Sequence, residues 1–581
     1  MALYFRAVAL DFDGTLTEHG QRPAPGVLAA MKRTRDAGYA VILVTGRIID
    51  ELRQVFADFA DHFDAVVAEN GAVLQVGGMK RLLADPVSNE LARALRDHGA
   101  GIRCGDVLMA CGAQAGPTAV EQIRRLGLDS QLVYNRSELM IMPAGVTKGT
   151  GLIEALNELD ISPRNVIAVG DAENDLALLH EAELAVAVAN SVESVRARAD
   201  LVTDRPNGSG VRELLDGPVV QSGRKILSER RRVQLGIDDQ GDWVEIPAAQ
   251  INLLICGDSG SGKSRLAGLF AERLISLGYC ILVIDPEGDH LGLARLRDTI
   301  RYSAADRAGG GLPPPARVVG TLRERLTSVV LDLSGLREPA RSEYLTELGL
   351  EVSLQRMSYG LPHWVVTDEA QDAPDCVMPT ARIPTQSNWG YALVSWQPNR
   401  LDAQTLRELD AVCAVAGSRP PSPEIIDVVA TVCRLAPETV SETLRSMKAG
   451  QAFLGALPSV ARPAVFTIAD RITQHVRHWH KYVTQPLTPE RWFYFRDEQD
   501  VLRGTAANLT ELHRILATCD SGVIRHHAAN GDLSSWMRAV FQDDQLAEVL
   551  VGFERDIGAG ATEVEVGRME ILSSLRRRYG V

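Results

Sequence analysis

The sequence predicts an α/β protein of several domains, because short β-rich runs alternate with helical stretches in two long regions. The first region has predicted strands at Ala7–Leu10, Ala40–Val44, Ala65–Ala68, Asn165–Val169 and Leu184–Val188. The second has predicted strands at Ile251–Cys256, Cys280–Asp285, Ser328–Asp332, Trp364–Thr367 and Tyr391–Ser395. Such alternation is typical of parallel sheets with helices on both faces. The length of 581 residues also exceeds what a single hydrophobic core supports.

The pattern divides the chain into four parts. The first α/β domain covers residues 1–220, with a core at 1–80 and 144–220 and an inserted cap at about 81–143, where the alternation loosens. Residues 221–232 are polar and basic, which favours a solvated linker over a phosphate-binding stretch. A second α/β domain is predicted at 233–465, and a helical domain rich in histidine and tryptophan at 466–581.

Composition and charge narrow the class of protein. With 45% hydrophobic residues the chain is an ordinary globular protein, which excludes a disordered or fibrous one. The net charge of −14 argues against an extended basic surface for nucleic acid, although a local basic channel formed by oligomerisation stays open. The eight cysteines include no CxxC pair, which indicates reduced thiols. No apolar run in the sequence is long enough for a membrane span. We expect a cytoplasmic protein without a membrane partner.

Two acids follow the first predicted strand. Asp11 and Asp13 lie two positions apart, so their side chains point to the same side of the chain at the carboxyl end of the strand. Ligands of open parallel sheets bind at that edge. Like charges this close require a shared cation or proton. Gly14 then allows a sharp turn beside a ligand. A strand that merely ends in a polar turn would explain one acid better than two.

Three further segments complete a pattern in which polar residues follow strands or begin helices. They are Thr45-Gly46-Arg47, Lys148 at the start of a helix, and Gly170-Asp171-Ala172-Glu173-Asn174-Asp175. Together they resemble the four motifs of the HAD phosphohydrolase superfamily, whose core is Rossmann-like. The long insert before Lys148 is similar to the C2-type α/β cap of sugar-phosphate and phosphoglycolate phosphatases. The resemblance implies a phosphorylated small molecule or nucleotide as substrate.

The resemblance assigns roles by position. Asp11 would be the nucleophile and Asp13 the acid that protonates the leaving alcohol and then activates water. The implied phosphate-binding residues are Thr45, Gly46, Lys148 and Asn174. The implied Mg²⁺ ligands are Asp11, Asp13, Asp171 and Asp175, since a hard cation prefers oxygen ligands.

A second site is predicted where a strand meets a glycine-rich loop and a helix. The loop reads Gly257-Asp258-Ser259-Gly260-Ser261-Gly262-Lys263-Ser264, the GxxxxGK[ST] pattern that wraps the phosphates of ATP. Lys263 would contact the β- and γ-phosphates, and Ser264 would bind Mg²⁺. The partner strand ends in Asp368-Glu369, where Asp368 would hold Mg²⁺ and Glu369 would polarise the attacking water.

Three segments narrow the type of ATPase. Val283–Asp289, Val329–Leu336 and Val394–Pro398 resemble the HerA/FtsK-type ring ATPases, whose domain is RecA-like. The resemblance implies that Gln397 is a polar sensor of ATP and that the chain forms a homo-oligomer, with a hexameric ring as one form. Arg400 and Arg419 are candidate arginine fingers, although exposed arginines are common without such a role.

Several functions stay open from the sequence. We expect a bifunctional protein that hydrolyses phosphomonoesters and ATP. One alternative is a nucleic-acid-directed ring ATPase of defence or repair whose HAD domain acts on nucleotides or polynucleotide ends. Others are a small-molecule kinase paired with a phosphatase, or an ATPase that serves as an assembly switch. His475 and His478 could share a helix face and hold a metal, but a helical core is the simpler interpretation.

Overall fold

The computed structural model describes residues 4–18, 20–135, 138–304, 311–373, 389–417, 420–473, 483, 487, 489–541 and 543–579. Within these residues the chain forms two large α/β units and a smaller C-terminal unit, each with its own hydrophobic core. His475, His478 and Arg419, singled out from the sequence, lie outside the described residues.

The first unit contains twelve strands and nine helices among the described residues. The strands are β1 Ala7–Leu10, β2 Ala40–Val44, β3 Ala65–Ala68, β4 Val73–Val76, β5 Met79–Leu82, β6 Arg103–Cys104, β7 Met109–Gly112, β8 Ser130–Asn135, β9 Glu138–Pro143, β10 Val166–Gly170, β11 Leu184–Ala187 and β12 Leu201–Val202. The helices are α1 Pro25–Asp36, α2 Ile49–Val55, α3 Asn89–Asp97, α4 Gly116–Leu126, α5 Lys148–Glu158, α6 Leu176–Glu181, α7 Glu193–Arg196, α8 Asn207–Leu215 and α9 Pro218–Gln221.

The main sheet of this unit is parallel where the predicted site lies. Its strand order is β12-β11-β10-β1-β2-β3-β4-β5, and the strands from β12 to β3 are parallel. Strand β1 is central, with all four residues buried between helices on both faces, as an apolar run in a parallel sheet predicts. The carboxyl ends of β1, β2 and β10 therefore lie side by side at one edge.

An inserted lid separates the two halves of this unit. Strands β6, β7, β9 and β8 form a four-stranded antiparallel sheet in that order. Helices α3 and α4 contribute Leu91, Leu95 and Ala119 to its separate core. These strands and helices lie between β5 and α5 in the chain.

The second unit contains eleven strands and six helices among the described residues. The strands are β13 Arg232–Ile237, β14 Trp243–Pro247, β15 Asn252–Cys256, β16 Ile281–Asp285, β17 Thr299–Ser303, β18 Ser328–Asp332, β19 Trp364–Thr367, β20 Tyr391–Ser395, β21 Ala411–Val415, β22 Gln451–Ala456 and β23 Ala464–Ile468. The helices are α10 Lys263–Ser276, α11 Pro315–Arg323, α12 Ala340–Tyr359, α13 Ala403–Arg407, α14 Pro423–Cys433 and α15 Pro437–Ser446.

All eleven strands belong to one sheet, in the order β14-β13-β23-β22-β21-β15-β20-β19-β16-β18-β17. Strands β21, β15, β20, β19, β16, β18 and β17 are parallel, and the others add an antiparallel extension. Strand β23 spans the boundary predicted between residues 465 and 466, and it pairs with β22 and β13.

The C-terminal unit corrects the purely helical prediction for residues 466–581. Strands β24 Phe493–Arg496 and β25 Leu502–Ala506 form an antiparallel hairpin. Phe493 and Phe495 are buried and Tyr494 is exposed, a period-two pattern that favours a strand. The helices are α16 Leu509–Thr518, α17 Ser521–Asn530, α18 Asp532–Trp536, α19 Asp544–Gly558 and α20 Val564–Tyr579.

The two large units share a buried polar joint. Tyr279 donates a hydrogen bond to Glu183 Oε2 at 2.7 Å, and His363 Nε2 lies 3.1 Å from Asn165 Oδ1. The solvated linker expected at 221–232 is wrong at its arginines. Arg230 pairs with Asp200 at 2.9 Å and also donates to backbone carbonyls of the first unit.

Most predicted strands of the two sheets are confirmed to within a residue at each end. The apolar runs are short and bounded by turn residues, which leaves little freedom in their limits. Within the described part of the chain, no helix combines the length and hydropathy needed to cross a membrane.

Candidate active sites

Three aspartates meet at the carboxyl edge of the first sheet. Asp11 follows β1, Asp171 follows β10, and Asp175 lies in the turn after β10. One carboxylate oxygen of each lies within 4.8 Å of those of the other two, and all three side chains are buried. Burial and the charge of Asp175 raise the pKa of Asp11. The structure therefore brings together three of the four acids predicted to hold a metal.

A buried lysine lies between two of these carboxylates. Lys148 Nζ is 2.5 Å from Asp11 Oδ1 and 2.6 Å from Asp175 Oδ1, and its side chain is 2% exposed. Burial alone would lower the pKa of Lys148, but Asp11 and Asp175 raise it above its ordinary value. Lys148 therefore stays charged and offsets part of the negative charge. Thr147 caps helix α5 and fixes where Lys148 begins it.

The loops around the aspartates hold their oxygens in place. The backbone N–H groups of Asp171 and Ala172 donate to Asp175 Oδ2 at 2.9 and 3.0 Å, and the Thr15 hydroxyl donates to Asp171 Oδ1 at 3.1 Å. Gly14 has φ of +86°, and a Cβ atom there would lie 2.3 Å from Asp171 Oδ2. Only glycine allows this close approach of the turn to the acid.

Asp13 is paired with an arginine. Its two oxygens accept hydrogen bonds from Arg47, Nε to Oδ2 and Nη2 to Oδ1, both at 2.7 Å. The Asp13 side chain is 38% exposed, so it faces the open side of the site. The sequence indicated Asp13 but gave no role to Arg47, whose contact depends on the packing of the loop after β2 against the loop after β1.

The other predicted phosphate-binding residues line the same edge, beneath the lid. Thr45 is fully buried, and its hydroxyl accepts the backbone N–H of Arg47 at 3.1 Å. A Cβ atom at Gly46 would lie 3.4 Å from the sulfur of Met140, on lid strand β9, and 4.0 Å from the amide nitrogen of Asn174. Thr45, Gly46 and Asn174 thus lie at the interface of core and lid.

A strained turn fastens the lid to the core. Glu69 is fully buried with φ of +53°, and its carboxylate accepts backbone N–H groups of Asp106, Val107 and Leu108 at 2.8 to 3.0 Å. A non-glycine residue in this conformation is costly and persists only where the surroundings impose it. Nothing in the sequence pattern indicates that Glu69 anchors the lid.

The glycine-rich loop of the second unit lies between β15 and α10, as predicted. Gly260 and Gly262 adopt φ of +84° and +103°, which favours glycine. Lys263 is buried, begins α10, and donates from Nζ to the carbonyl of Asp258 at 3.0 Å. Burial lowers the pKa of Lys263, while nearby Glu369 and Asp368 oppose this shift. The loop residues 257–264 are thereby wrapped around the amine.

Asp368 lies at the end of β19, where three groups hold it. The backbone N–H of Glu369 donates to Asp368 Oδ1 at 2.9 Å, and the Ser264 hydroxyl lies near enough to help lower the pKa of Asp368. His290 Nε2 lies 2.8 Å from Asp368 Oδ2, with both side chains buried. Burial opposes ionisation of Asp368, but the hydrogen bond from His290 lowers its pKa. The predicted pair of Ser264 and Asp368 is thus in contact.

The sequence did not indicate His290 as a site residue, because a single histidine in a polar turn belongs to no recognisable motif. The turn is built on Asp285, which accepts backbone N–H groups of Gly288, Asp289 and His290 at 2.8 to 3.0 Å. Burial raises the pKa of Asp285 to about 7. His290 Nδ1 is buried without a hydrogen-bond partner among the described residues. The turn therefore aims the imidazole at Asp368.

Glu369 and the predicted sensor Gln397 are linked through other residues. Gln371 Nε2 donates to Glu369 Oε2 at 2.5 Å, and Gln371 Oε1 accepts from the Ser395 hydroxyl at 2.6 Å. Gln397 donates its backbone N–H to the same hydroxyl at 3.1 Å. Gln371, which the sequence analysis passed over, bridges the ends of β19 and β20. The candidate finger Arg400 pairs with Asp372 at 3.0 Å.

Two parts of the chain are similar to known families. Residues 8–109 and 126–215 match haloacid dehalogenase-like hydrolases, and residues 250–349 match the central domain of the helicase HerA. The three clustered aspartates and Lys148 lie within the first match. The glycine-rich loop, Lys263 and His290 lie within the second.

Curated relatives cover the first unit. A phosphoglycolate phosphatase of Methanothermobacter thermautotrophicus is 32% identical over 216 residues, which are 36% of this chain and 96% of the relative. One of Archaeoglobus fulgidus is 32% identical over 221 residues, 36% of this chain and 95% of the relative. A solved haloacid dehalogenase-like hydrolase from Bacteroides thetaiotaomicron is 21% identical, covering 36% of this chain and 98% of its own, with a TM-score of 0.32.

The contact of His290 with Asp368 leads us to expect that His290 affects ATP turnover and its magnesium requirement. A carboxylate only accepts hydrogen bonds, so the contact requires a proton on Nε2. His290→Ala removes that donor, and we expect ATP turnover to fall about tenfold or more, the usual effect of losing a group that orients a metal ligand. The magnesium concentration for half-maximal turnover should rise, while nucleotide binding in EDTA stays unchanged.

His290→Gln, which keeps an N–H donor, should recover part of the loss. An unchanged magnesium requirement in His290→Ala would contradict this role.

Proposed function

The chain belongs to the haloacid dehalogenase-like hydrolases through residues 8–109 and 126–215 and carries a HerA-type central domain at residues 250–349, and on this premise we propose a bifunctional hydrolase. Its first unit hydrolyses phosphomonoesters, and its second unit binds and hydrolyses ATP. The observation that carries the first activity is the buried group of Asp11, Lys148, Asp171 and Asp175. The wrapped glycine-rich loop next to Asp368 carries the second.

Asp11 is the proposed nucleophile. Its oxygen attacks phosphorus, the bond from phosphorus to the leaving oxygen breaks, and the phosphoryl group is carried as an aspartyl-phosphate. Asp13 gives a proton to the leaving alcohol and takes one from the water that then releases inorganic phosphate. Lys148 supports this assignment because its charge, 2.5 Å from Asp11 Oδ1, offsets the repulsion between a carboxylate and an anionic substrate.

The residues fit a magnesium ion. Three buried carboxylates with ligand atoms within 4.8 Å of one another form an oxygen donor set, and one lysine balances only part of their charge. We propose that Asp11, Asp171, Asp175 and the backbone carbonyl of Asp13 hold Mg²⁺. When bound, the ion reduces the repulsion between nucleophile and phosphate. Thr45, Gly46, Lys148 and Asn174 contact the phosphate oxygens in this proposal.

The proposed substrates are small. The lid, which we assign to the C2 type, closes over the carboxyl edge, and Glu69 anchors it there. A closed lid excludes water and bulky substrates. The curated relatives named phosphoglycolate phosphatases support a small phosphorylated acid as the first compound to test, followed by sugar phosphates and nucleotides.

In the second unit we propose that the backbone of residues 257–264 and Lys263 bind the phosphates of ATP. Ser264 and Asp368 hold Mg²⁺, and Glu369 orients the attacking water. Gln371 keeps the Glu369 carboxylate in position through its 2.5 Å hydrogen bond. Gln397 is the proposed sensor, since its backbone is tied to the Ser395 hydroxyl that Gln371 also contacts.

A second candidate function is a nucleic-acid-directed ring ATPase whose phosphatase acts on nucleotides or polynucleotide ends. The match to the central domain of a helicase favours it. The domains that we propose for such an assembly are residues 1–220, a second domain from residue 233 to the end of β23 at Ile468, and the remainder of the chain. Mass measurement with and without ATP separates the candidates, because a chain that stays monomeric in both conditions cannot form the ring.

The first activity is tested by Asp11→Asn. We expect release of phosphate from an aryl phosphate in the presence of magnesium to fall about a thousandfold or more, because an amide cannot form the phosphorylated intermediate. Asp36→Asn, an exposed carboxylate paired with Lys32, is the matched control and should keep full activity. Phosphatase activity retained in Asp11→Asn would mean that the nucleophile lies elsewhere.

The second activity is tested by Lys263→Ala. We expect ATP turnover to be lost while phosphate release from an aryl phosphate is unchanged. Strands β10 and β19 begin at the joint, next to Asn165 and His363, and lead to Asp171 and Asp368, so each site lies at the far end of its strand from the joint. At about 3.3 Å per residue, each site lies a full strand length from the joint. Lys448→Ala, at an exposed lysine of the same unit, is the control. Joint loss of both activities would show that the sites are coupled.

A further inference from the structure

Arg47 is hydrogen-bonded to both carboxylate oxygens of Asp13, the residue proposed to protonate the leaving alcohol. Arg47 and Asp13 form two parallel hydrogen bonds of 2.7 Å, the bidentate arrangement in which a guanidinium matches a carboxylate best. The guanidinium also lies over the Phe12 ring, 5.2 Å from its centre. The Arg47 side chain is 23% exposed, so it is held at the mouth of the site and not in free solvent.

The loop after β1 is shaped around this pair. A Cβ atom at Gly20 would lie 2.0 Å from Arg47 Nη2 and 2.7 Å from Asp13 Oδ1. Gly20 has φ of +66°, which also favours glycine. The backbone therefore covers the pair closely, and the contact is part of the fold and differs from an ordinary surface ion pair.

Catalysis requires this pair to open. In the proposed function, Asp13 contacts the leaving oxygen of the substrate, and so at least one Asp13 oxygen must exchange Arg47 for that oxygen. An arginine only donates, and a half-buried donor that loses its acceptor is unfavourable. Arg47 therefore needs another acceptor at the moment when the substrate engages Asp13.

The two acids near Arg47 are already paired with another arginine. The hydrogen bond to Asp13 raises the pKa of Arg47, with smaller contributions from the charges of Glu51 and Glu138. Arg103, on lid strand β6, donates to Glu51 at 2.9 Å and to Glu138 at 2.5 Å. In the region of the mouth that the structure describes, both of these acids are thus bound to the lid arginine.

We propose that Arg47 is the specificity-determining residue of the phosphatase, and that it transfers its N–H donors from Asp13 to a carboxylate on the leaving alcohol. This inference rests on the proposed phosphomonoesterase function. A substrate with such a carboxylate frees Asp13 and gives Arg47 a bidentate acceptor in one step, whereas a neutral leaving group leaves only water and the phosphate oxygens as acceptors. The class selected is a short phosphomonoester whose alcohol carries an acid within one or two carbons.

The test compares two probes of nearly the same size, 2-phosphoglycolate and 2-hydroxyethyl phosphate. The wild-type chain with magnesium should have a kcat/KM at least about tenfold higher for the acid, the effect expected of one charge-assisted pair of hydrogen bonds. In Arg47→Gln this ratio should fall to near one, chiefly through loss of activity on the acid. Arg47→Lys, which keeps the charge but not the planar fork, should give an intermediate ratio.

Arg103→Gln is the matched control, because it removes an arginine that contacts acids at the same mouth but not Asp13. It should change both substrates by the same factor. An equal fall of both substrates in Arg47→Gln, or a wild-type preference for the neutral probe, would overturn the proposal. If Arg47→Gln fails to fold, Arg47→Lys takes its place, and a ratio in Arg47→Lys as high as in the wild-type chain would overturn the proposal. Absence of phosphate release from an aryl phosphate by the wild-type chain would instead refute the proposed function itself.

Discussion

Lys148 lies between Asp11 and Asp175 in a space from which water is excluded, and the first site depends on this contact. Two buried carboxylates that close to a third would repel one another strongly without a cation. The parallel sheet imposes the crowding, because the carboxyl ends of β1 and β10 are neighbours in it. The fold thus creates an excess of negative charge at one edge, and Lys148 offsets only part of it.

The second unit also holds a buried carboxylate at the carboxyl edge of its sheet, but with different partner groups. A buried acid again follows a parallel strand, and Asp368 is held by Ser264, His290 and a backbone N–H. Here the side-chain partner is an imidazole, and Lys263 lies nearby. Strands β10 and β19, which lead to the two sites, both start at the shared polar joint, so each site lies at the far end of its strand from that joint. Each unit therefore carries its own set of buried acids at the carboxyl edge of its sheet.

The sequence predicted what depends on local pattern and missed what depends on packing between distant segments. Apolar runs that end in Asp11, Asp171 or Asp368 give both the strand and the placement of the acid, since the end of a strand fixes where the next side chain lies. Arg47, Glu69, His290 and Gln371 could not be inferred, because each acts on a residue brought close only by the folded sheet. The hairpin at Phe493–Ala506 was missed for another reason. Its period-two alternation covers only a few residues amid helical sequence.

The central claim is that the acids at the edge of the first sheet hold a divalent cation without help from nucleotide. The most direct measurement is a calorimetric titration of the full-length, nucleotide-free protein with Mg²⁺. The account predicts one binding site per chain that is lost in Asp171→Asn and kept in Lys263→Ala. A wild-type chain that binds no Mg²⁺, or an Asp171→Asn variant that binds it as well as the wild type, would contradict the account.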